Sequence, residues 1–297
     1  MLSVRRSSRR GYWGIGSTSS IPKTWDLTVV TTDVNQTYTI DINTGSNPNI
    51  TVDWADGVTE TFTTTGLKTH TYSTAGRYVV RLSGSFTSGG NIRLGSDATN
   101  KHSLTKTSII PFIKGLVSFQ STFYGCSGLT GPIPVDLFRY NTQVSGHGFY
   151  QTFNGCSELT GPIPADLFRY NTQVSSNGFY QTFYGCTNLT ESIPADLFRY
   201  NTQVSVAGFQ STFSGCTNLS LSSNIFGPPE EYGTRFLNKV SDFKYCFYNT
   251  GKTSPQGTAP PLWLYDFGTG TPVKTGCFLG QTSSTVTNFA DIPANWK

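Results

Sequence analysis

The sequence predicts a mainly β protein with short helices, a small β-sandwich followed by a solenoid of stacked repeats. Three observations carry this. Short runs with period-2 alternation fill residues 25–86. A unit beginning at Phe119 then returns at Phe149, Phe179 and Phe209, every 30 residues. Finally, charged residues are only 13% of the chain, about half the usual quarter, with Gly, Ser, Thr and Asn in their place.

Residues 1–24 form a Gly/Ser/Arg-rich arm holding Arg5, Arg6, Arg9 and Arg10, a large part of a net charge of only +4. Such a cluster suits an acidic protein groove or a nucleic acid, and equally a solvated basic tail. No basic stripe with interleaved aromatics follows, which argues against sequence-specific nucleic-acid binding. After the arginines comes Gly11-Tyr12-Trp13-Gly14-Ile15-Gly16, without the apolar run of about 7–15 residues that an export signal needs. Nor does any stretch approach the ~20 apolar residues of a membrane span.

From Trp25 the runs WDLTVVT, TYTIDI, ITVDW, ETFTT and RYVVRLSGSF are rich in Thr, Val, Ile and Tyr and separated by Asn, Gly and Ser, as antiparallel strands are. Asp56-Gly57 marks a hairpin, because a tight primed turn needs positive φ. The order Val52-Asp53-Trp54-Ala55-Asp56-Gly57, His70-Thr71-Tyr72-Ser73 and Ala75-Gly76-Arg77-Tyr78-Val79-Val80 resembles the PKD-like immunoglobulin fold over residues 25–86. That resemblance implies a spacer or a module touching carbohydrate or protein. Asp53 and Asp56 suggest calcium, but turn aspartates beside a core Trp54 explain them as well.

Residues 87–118, with Ile109-Ile110-Pro111-Phe112-Ile113, are expected to cap a repeat solenoid that occupies 119–297 with atypical C-terminal units. Its anchors step by 30: Phe123, Phe153, Phe183, Phe213 and Phe243 as one column, Leu129 to Leu219 as another, Ile133 to Ile193 as a third. Cys126, Cys156, Cys186, Cys216 and Cys246 keep the same step and Cys277 comes one residue late, so the cysteines are expected to form a buried ladder rather than disulfides. Within a unit, Phe153 and Cys156 are expected on a short helical turn tightened by Gly155. Leu159 to Ile163 should run extended up to Pro164, and Pro164-Ala165-Asp166-Leu167-Phe168 should start a helix. Thr152-Phe153-Asn154-Gly155-Cys156-Ser157-Glu158-Leu159-Thr160-Gly161-Pro162-Ile163-Pro164 resembles the BspA-type leucine-rich repeat of bacterial surface proteins and phages, over about residues 100–297. The unit is longer than 20–29 residues, which predicts an inserted loop around DLFRYNTQVS. The resemblance implies adhesion and protein binding and names no ligand.

No catalytic residues, cofactor or metal site are expected. His70, His102 and His147 fall in no metal-binding spacing, and Asp136, Asp166 and Asp196 are repeated helix-start residues rather than an acid/base pair. The candidate binding residues are Arg139 and Tyr140, Arg169 and Tyr170, and Arg199 and Tyr200. Stacking would align them, with their amide neighbours, in rows able to meet sugar rings or an acidic protein edge, or simply to brace the stack. Positions 146–147, 176–177 and 206–207 vary within a fixed frame, as an exposed loop tip would. Outward-type modules without a visible export signal fit a bacteriophage particle, as a capsid decoration, head fibre or tail-associated component. The arginine arm would meet other virion proteins and the solenoid a host-surface protein or glycan. A bacterial cell-surface or secreted adhesin, its leader trimmed or its export leaderless, is the alternative.

Overall fold

The computed structural model of the chain describes residues 20–95, 101–253 and 256–297. The expected arm arginines Arg5, Arg6, Arg9 and Arg10 lie outside the described residues. The protein is mainly β with few helices. Its strands are β1 (Trp25–Thr31), β2 (Gln36–Ser46), β3 (Asn49–Asp53), β4 (Thr59–Phe62), β5 (Gly66–Tyr72), β6 (Gly76–Arg93), β7 (Leu104–Thr107) and β8 (Lys114–Leu116).

The long strand β6 organises the others. Its first part lies between β1 (Leu27↔Val80) and β3 (Val52↔Leu82); β7 adds beyond β1 and β4 beyond β3. Its last part pairs instead with β2 (Ile42↔Ile92), which carries β5 on its other edge. All these pairs are antiparallel, whereas β8 joins β6 in parallel. Gly84 pairs with Ile50 of β3 at φ 131°, and a Cβ there would lie 2.0 Å from the Asn49 carbonyl oxygen. Only glycine fits such a site. Alternation places Trp25, Leu27 and Val29 of β1, Tyr38, Ile40 and Ile42 of β2, and Val80 and Leu82 of β6 inside at 0% exposure. The Asp56-Gly57 hairpin forms, with Trp54 N–H donating to Val58 O at 3.0 Å and positive φ at Ala55 and Gly57. It spans three residues rather than two.

Beyond residue 118 the chain winds in coils stacked in register. Phe119, Ser121, Phe123 and Gly125 donate their N–H groups to the carbonyls of Gly148, Tyr150, Thr152 and Asn154 at 2.7–2.9 Å, and the next coils repeat this. Phe119, Phe149, Phe179, Phe209 and Phe243 stack at 5.5–5.7 Å between ring centres. Phe123, Phe153, Phe183, Phe213, Phe247 and Phe278 form a second column at 5.3–5.7 Å. Phe138, Phe168, Phe198 and Phe226 make a third, wedged against the first. The apolar interior is continuous with that of the strands, where Trp25 meets Phe123 edge-on at 6.0 Å. Residues 91–95 and 101–117 serve both parts. They hold the end of β6, β7 and β8, and they receive the first coil through Leu94 N–H to Thr122 O and Ile110 N–H to Leu137 O.

Several local expectations need correction. The coils contain runs of β-turns instead of helices. Cys156 N–H bonds to Phe153 O and Leu167 N–H to Pro164 O, each three residues back. Positive φ recurs every fourth residue at His147, Gln151 and Gly155, which prevents a helix from propagating. Leu159 to Ile163 shrinks to single bridges such as Gly131↔Leu159 and Gly161↔Leu189. The segment DLFRYNTQVS is no inserted loop, because Leu137, Phe138, Asn141 and Val144 all face the core.

Phe243 belongs to the column of Phe119 rather than that of Phe123, and Cys246 leaves the row of the other cysteines. The coil from Phe209 to Phe243 is longer than 30 residues and contains a short α-helix, α1 (Pro229–Tyr232). That insertion moves the register by four. Cys246 and Cys277 therefore continue the row of Thr122, Thr152, Thr182 and Thr212, and Thr250 and Gln281 continue the row of Cys126, Cys156, Cys186 and Cys216. The bonds prove the slots: Cys216 Sγ–H donates to Phe183 O, Thr250 Oγ1–H to Phe213 O and Gln281 Nε2–H to Phe247 O.

Candidate binding surfaces

Three side-chain ladders hold the coils together from inside. The hydroxyls of Thr152, Thr182 and Thr212 donate at 2.8–2.9 Å to Phe119, Phe149 and Phe179 carbonyls one coil back. The buried thiols of Cys156, Cys186 and Cys216 do the same at 2.9–3.0 Å. Burial pushes the Cys216 thiol up to about 12 and raises those of Cys156 and Cys186 well above their ordinary value. The amides of Asn171 and Asn201 donate to the carbonyls of Asn141 and Asn171, each at 3.0 Å. Arg235 takes over that slot in the next coil, donating to Phe198 and Asn201 carbonyls. Its guanidinium is buried, and no carboxylate lies within ion-pair distance among the described residues, so desolvation lowers its pKa to about 10.

The Arg/Tyr rows form, and they engage each other. The Arg139 guanidinium lies 5.9 Å from the centre of the Tyr140 ring and 5.2 Å from that of Tyr170. Arg169 sits likewise between Tyr170 and Tyr200, and Arg199 between Tyr200 and Tyr232. Each guanidinium also meets the carboxylate three residues earlier: Arg139 to Asp136 at 3.1 Å, Arg169 to Asp166 at 3.3 Å, Arg199 to Asp196 at 3.2 Å. Cations alternate with rings along one exposed edge, and the partners are internal. The three aspartates are turn residues, with φ of 64° at Asp136 and 63° at Asp196, not helix starts. His147 and Val206 are exposed, as the variable positions were expected to be, and the backbone there is tied to the stack: His147 and Asn177 bond by their N–H groups to the Ser176 and Val206 carbonyls of the next coil.

A second outward surface escaped the sequence expectations. It carries Gln120, Tyr150, Tyr180, Gln210 and Lys244 in one row, Ser121, Gln151, Gln181, Ser211 and Tyr245 in the next, and Tyr124, Asn154, Tyr184, Ser214 and Tyr248 in a third. Tyr150 and Tyr180 stack at 4.7 Å, and Gln151 Nε2–H donates to Gln181 Oε1 at 2.7 Å. Between Gln181 and Tyr184 on one side and Lys244, Tyr245 and Tyr248 on the other lies an open groove of about 390 Å³. The signal that could have revealed it is the serine pair at 211 and 214, where neighbouring coils carry Gln and Tyr or two Tyr.

In the strand region, Asp53 and Asp56 each brace their own turn and also reach a neighbouring strand, Asp53 Oδ2 meeting the Arg81 guanidinium at 3.4 Å. Asp53 Oδ1 accepts from Ala55 N–H and Asp56 Oδ1 from Val58 N–H, while Asp56 Oδ2 meets His70 Nε2 at 2.7 Å. His70 stacks flat on Trp54 at 4.8 Å. His102 Nδ1 meets the Ser127 hydroxyl and His147 Nε2 the Asn177 amide. Among the described residues, no three His, Cys, Asp or Glu side chains gather as metal ligands, and no helix is long and apolar enough to cross a membrane. Comparison with protein-family models, with curated proteins and with solved structures returned no match.

Proposed function

We propose that this chain is a non-enzymatic adhesion and assembly protein, in which a PKD-like immunoglobulin-type sandwich carries a BspA-type leucine-rich-repeat solenoid. Its best-supported setting is a bacteriophage particle, as a capsid decoration, head fibre or tail-associated component. The single observation that carries this reading is the registered stack, which fixes rows of tyrosines, amides and arginines on its outside at coil spacings of 5.3–5.7 Å. Side chains held in this way lose little entropy when a partner docks, so they suit recognition. In this reading Arg5, Arg6, Arg9 and Arg10 meet the capsid or tail, and the solenoid faces a host protein or glycan.

Mass spectrometry and immunogold labelling of gradient-purified particles test the setting. The chain is expected on the particles, and removal of residues 1–20 is expected to abolish its incorporation. Unchanged incorporation would remove the arm as anchor. The surface with few charges supports a bacterial adhesin as well, and recovery of the chain only in the cell-envelope fraction would decide for that alternative.

A further inference from the structure

The groove over Ser211 and Ser214 has a definite origin in the sequence. Facing positions of the preceding coil are Gln181 and Tyr184, and those of the following coil are Tyr245 and Tyr248. Two coil spacings, of 5.5 and 5.7 Å, separate these walls. The coil between them has side chains of a single hydroxymethyl group, so the surface drops into a trough one coil wide. Ser211 and Ser214 form its floor, at 5% and 3% exposure.

The lining is chemically one-sided. Among the described residues, neither floor serine's hydroxyl has a hydrogen-bond partner in the protein, nor do those of Tyr184, Tyr245 and Tyr248, nor does the Gln210 amide. Gln181 spends its Oε1 on Gln151 and Asn154 and keeps its Nε2 donors for the groove. Lys244 holds its ammonium 5.5 Å from the centre of the Tyr245 ring and has no carboxylate within ion-pair distance among the described residues. The lining contains no acidic side chain.

Amphipathic rings, donor–acceptor groups, the apolar Leu279 and a cation whose nearest acidic neighbour, Asp242, lies outside the lining match a ligand made of hydroxyl-bearing rings with an anionic substituent. The volume falls at the small end of the range of about 300–1,000 Å³ for ligand sites. We propose that this trough binds an acidic oligosaccharide, the sugar faces resting on Tyr184 and Tyr248 and the anionic group on Lys244. This deepens the proposed binding role and rests on it. The Arg/Tyr edge is less suited, because its cations already have carboxylates and rings as partners.

Titration calorimetry of the full chain with length-matched neutral, uronic-acid and sulfated oligosaccharides tests the site. At least one acidic series is expected to bind tenfold or more tightly than the neutral one, and the better series identifies the anionic group. Lys244→Met is expected to reduce that preference to within twofold. The double variant S211Q/S214Y gives this coil the residues its neighbour carries at 181 and 184, and is expected to weaken all binding at least tenfold with an unchanged circular dichroism spectrum. Should that variant fail to fold, Tyr184→Ala, an exposed side chain, is expected to weaken binding at least fivefold. Absence of binding by the unaltered chain at millimolar sugar, no acidic preference, or unchanged binding in the filled or Tyr184→Ala variant would overturn the assignment. Particle labelling is read independently: a chain found on particles but blind to sugars refutes the trough alone, and a sugar-binding chain absent from particles refutes the setting alone.

Discussion

Asn171→Ala is the most direct probe of how the coils are held. The Asn171 amide donates to Asn141 O at 3.0 Å and, more weakly, to Phe138 O at 3.4 Å, with no solvent access. Phe138 O keeps a second donor, the Asn141 N–H at 3.2 Å. Asn141 O has no other hydrogen-bond partner among the described residues, so the substitution orphans a buried carbonyl. Leaving a buried acceptor without its donor costs ~1–3 kcal/mol, the lost bond included. A destabilisation of about 1–3 kcal/mol follows, or a urea midpoint lowered by up to about 1 M for a slope of ~3 kcal/mol per M. Gln173, two residues on and just as faithfully repeated, is exposed. Gln173→Ala should therefore stay within about 0.5 kcal/mol. Urea unfolding followed by circular dichroism compares the two. Equal midpoints for the variants would refute the ladder as a source of stability, and hydrogen exchange should place the loosening in the coils on either side of Asn171.

Other outcomes follow from the same geometry. All six thiols are free and buried, so none should react with an aromatic disulfide reagent in the native protein and all six should after denaturation; fast native labelling would contradict the packing. Burial lifts the Cys126 and Cys216 thiols from 9.0 to about 12. Between those values the folded thiol keeps a proton that the unfolded one has released, so stability falls as pH rises above 9, by about 1.4 kcal/mol per pH unit for each thiol. Melting temperatures from pH 8 to 11 should show this decline, and Cys126→Ala with Cys216→Ala should make it shallower; an unchanged slope would exclude these thiols as its cause. His70→Ala removes the Asp56 contact and the Trp54 stack and should cost about 1–2 kcal/mol, with a changed near-ultraviolet signal from Trp54. An unaltered melting temperature would show that the stack contributes nothing.

Much of the fold was legible because hydrophobic spacing carries it. The alternation in WDLTVVT gave β1, and the repeated phenylalanines announced stacking. The error at Phe243 has a specific cause. Phe243 and Phe247 are four apart, as Phe149 and Phe153 are, so the pair fits either phenylalanine column. Cys246 at three residues past Phe243 favoured the wrong match, whereas the aromatic pair itself, which fills two columns at once, was the stronger constraint. Turn conformations were hidden because Gln151 and His147 adopt positive φ only under coil-to-coil bonding, a tertiary effect that no local propensity encodes. The Arg/Tyr rows were legible as rows, but their mutual pairing depends on side-chain direction between coils. The trough was legible only as a departure from the repeat, in two serines easily passed over as variation.

The near-identity of the inner coils also makes length an adjustable quantity. Phe119 bonds to Gly148, Phe149 to Gly178 and Phe179 to Gly208 in the same way, at 2.7–2.9 Å. Excising residues 149–178, or copying them, would present each seam with the contacts it already makes. Unequal recombination within the coding sequence could thus shorten or extend the reach of the array by about 5.5 Å per step, as seen between Phe153 and Phe183. The ends, and the lengthened coil bearing α1, would travel as fixed fittings on a rod of variable span.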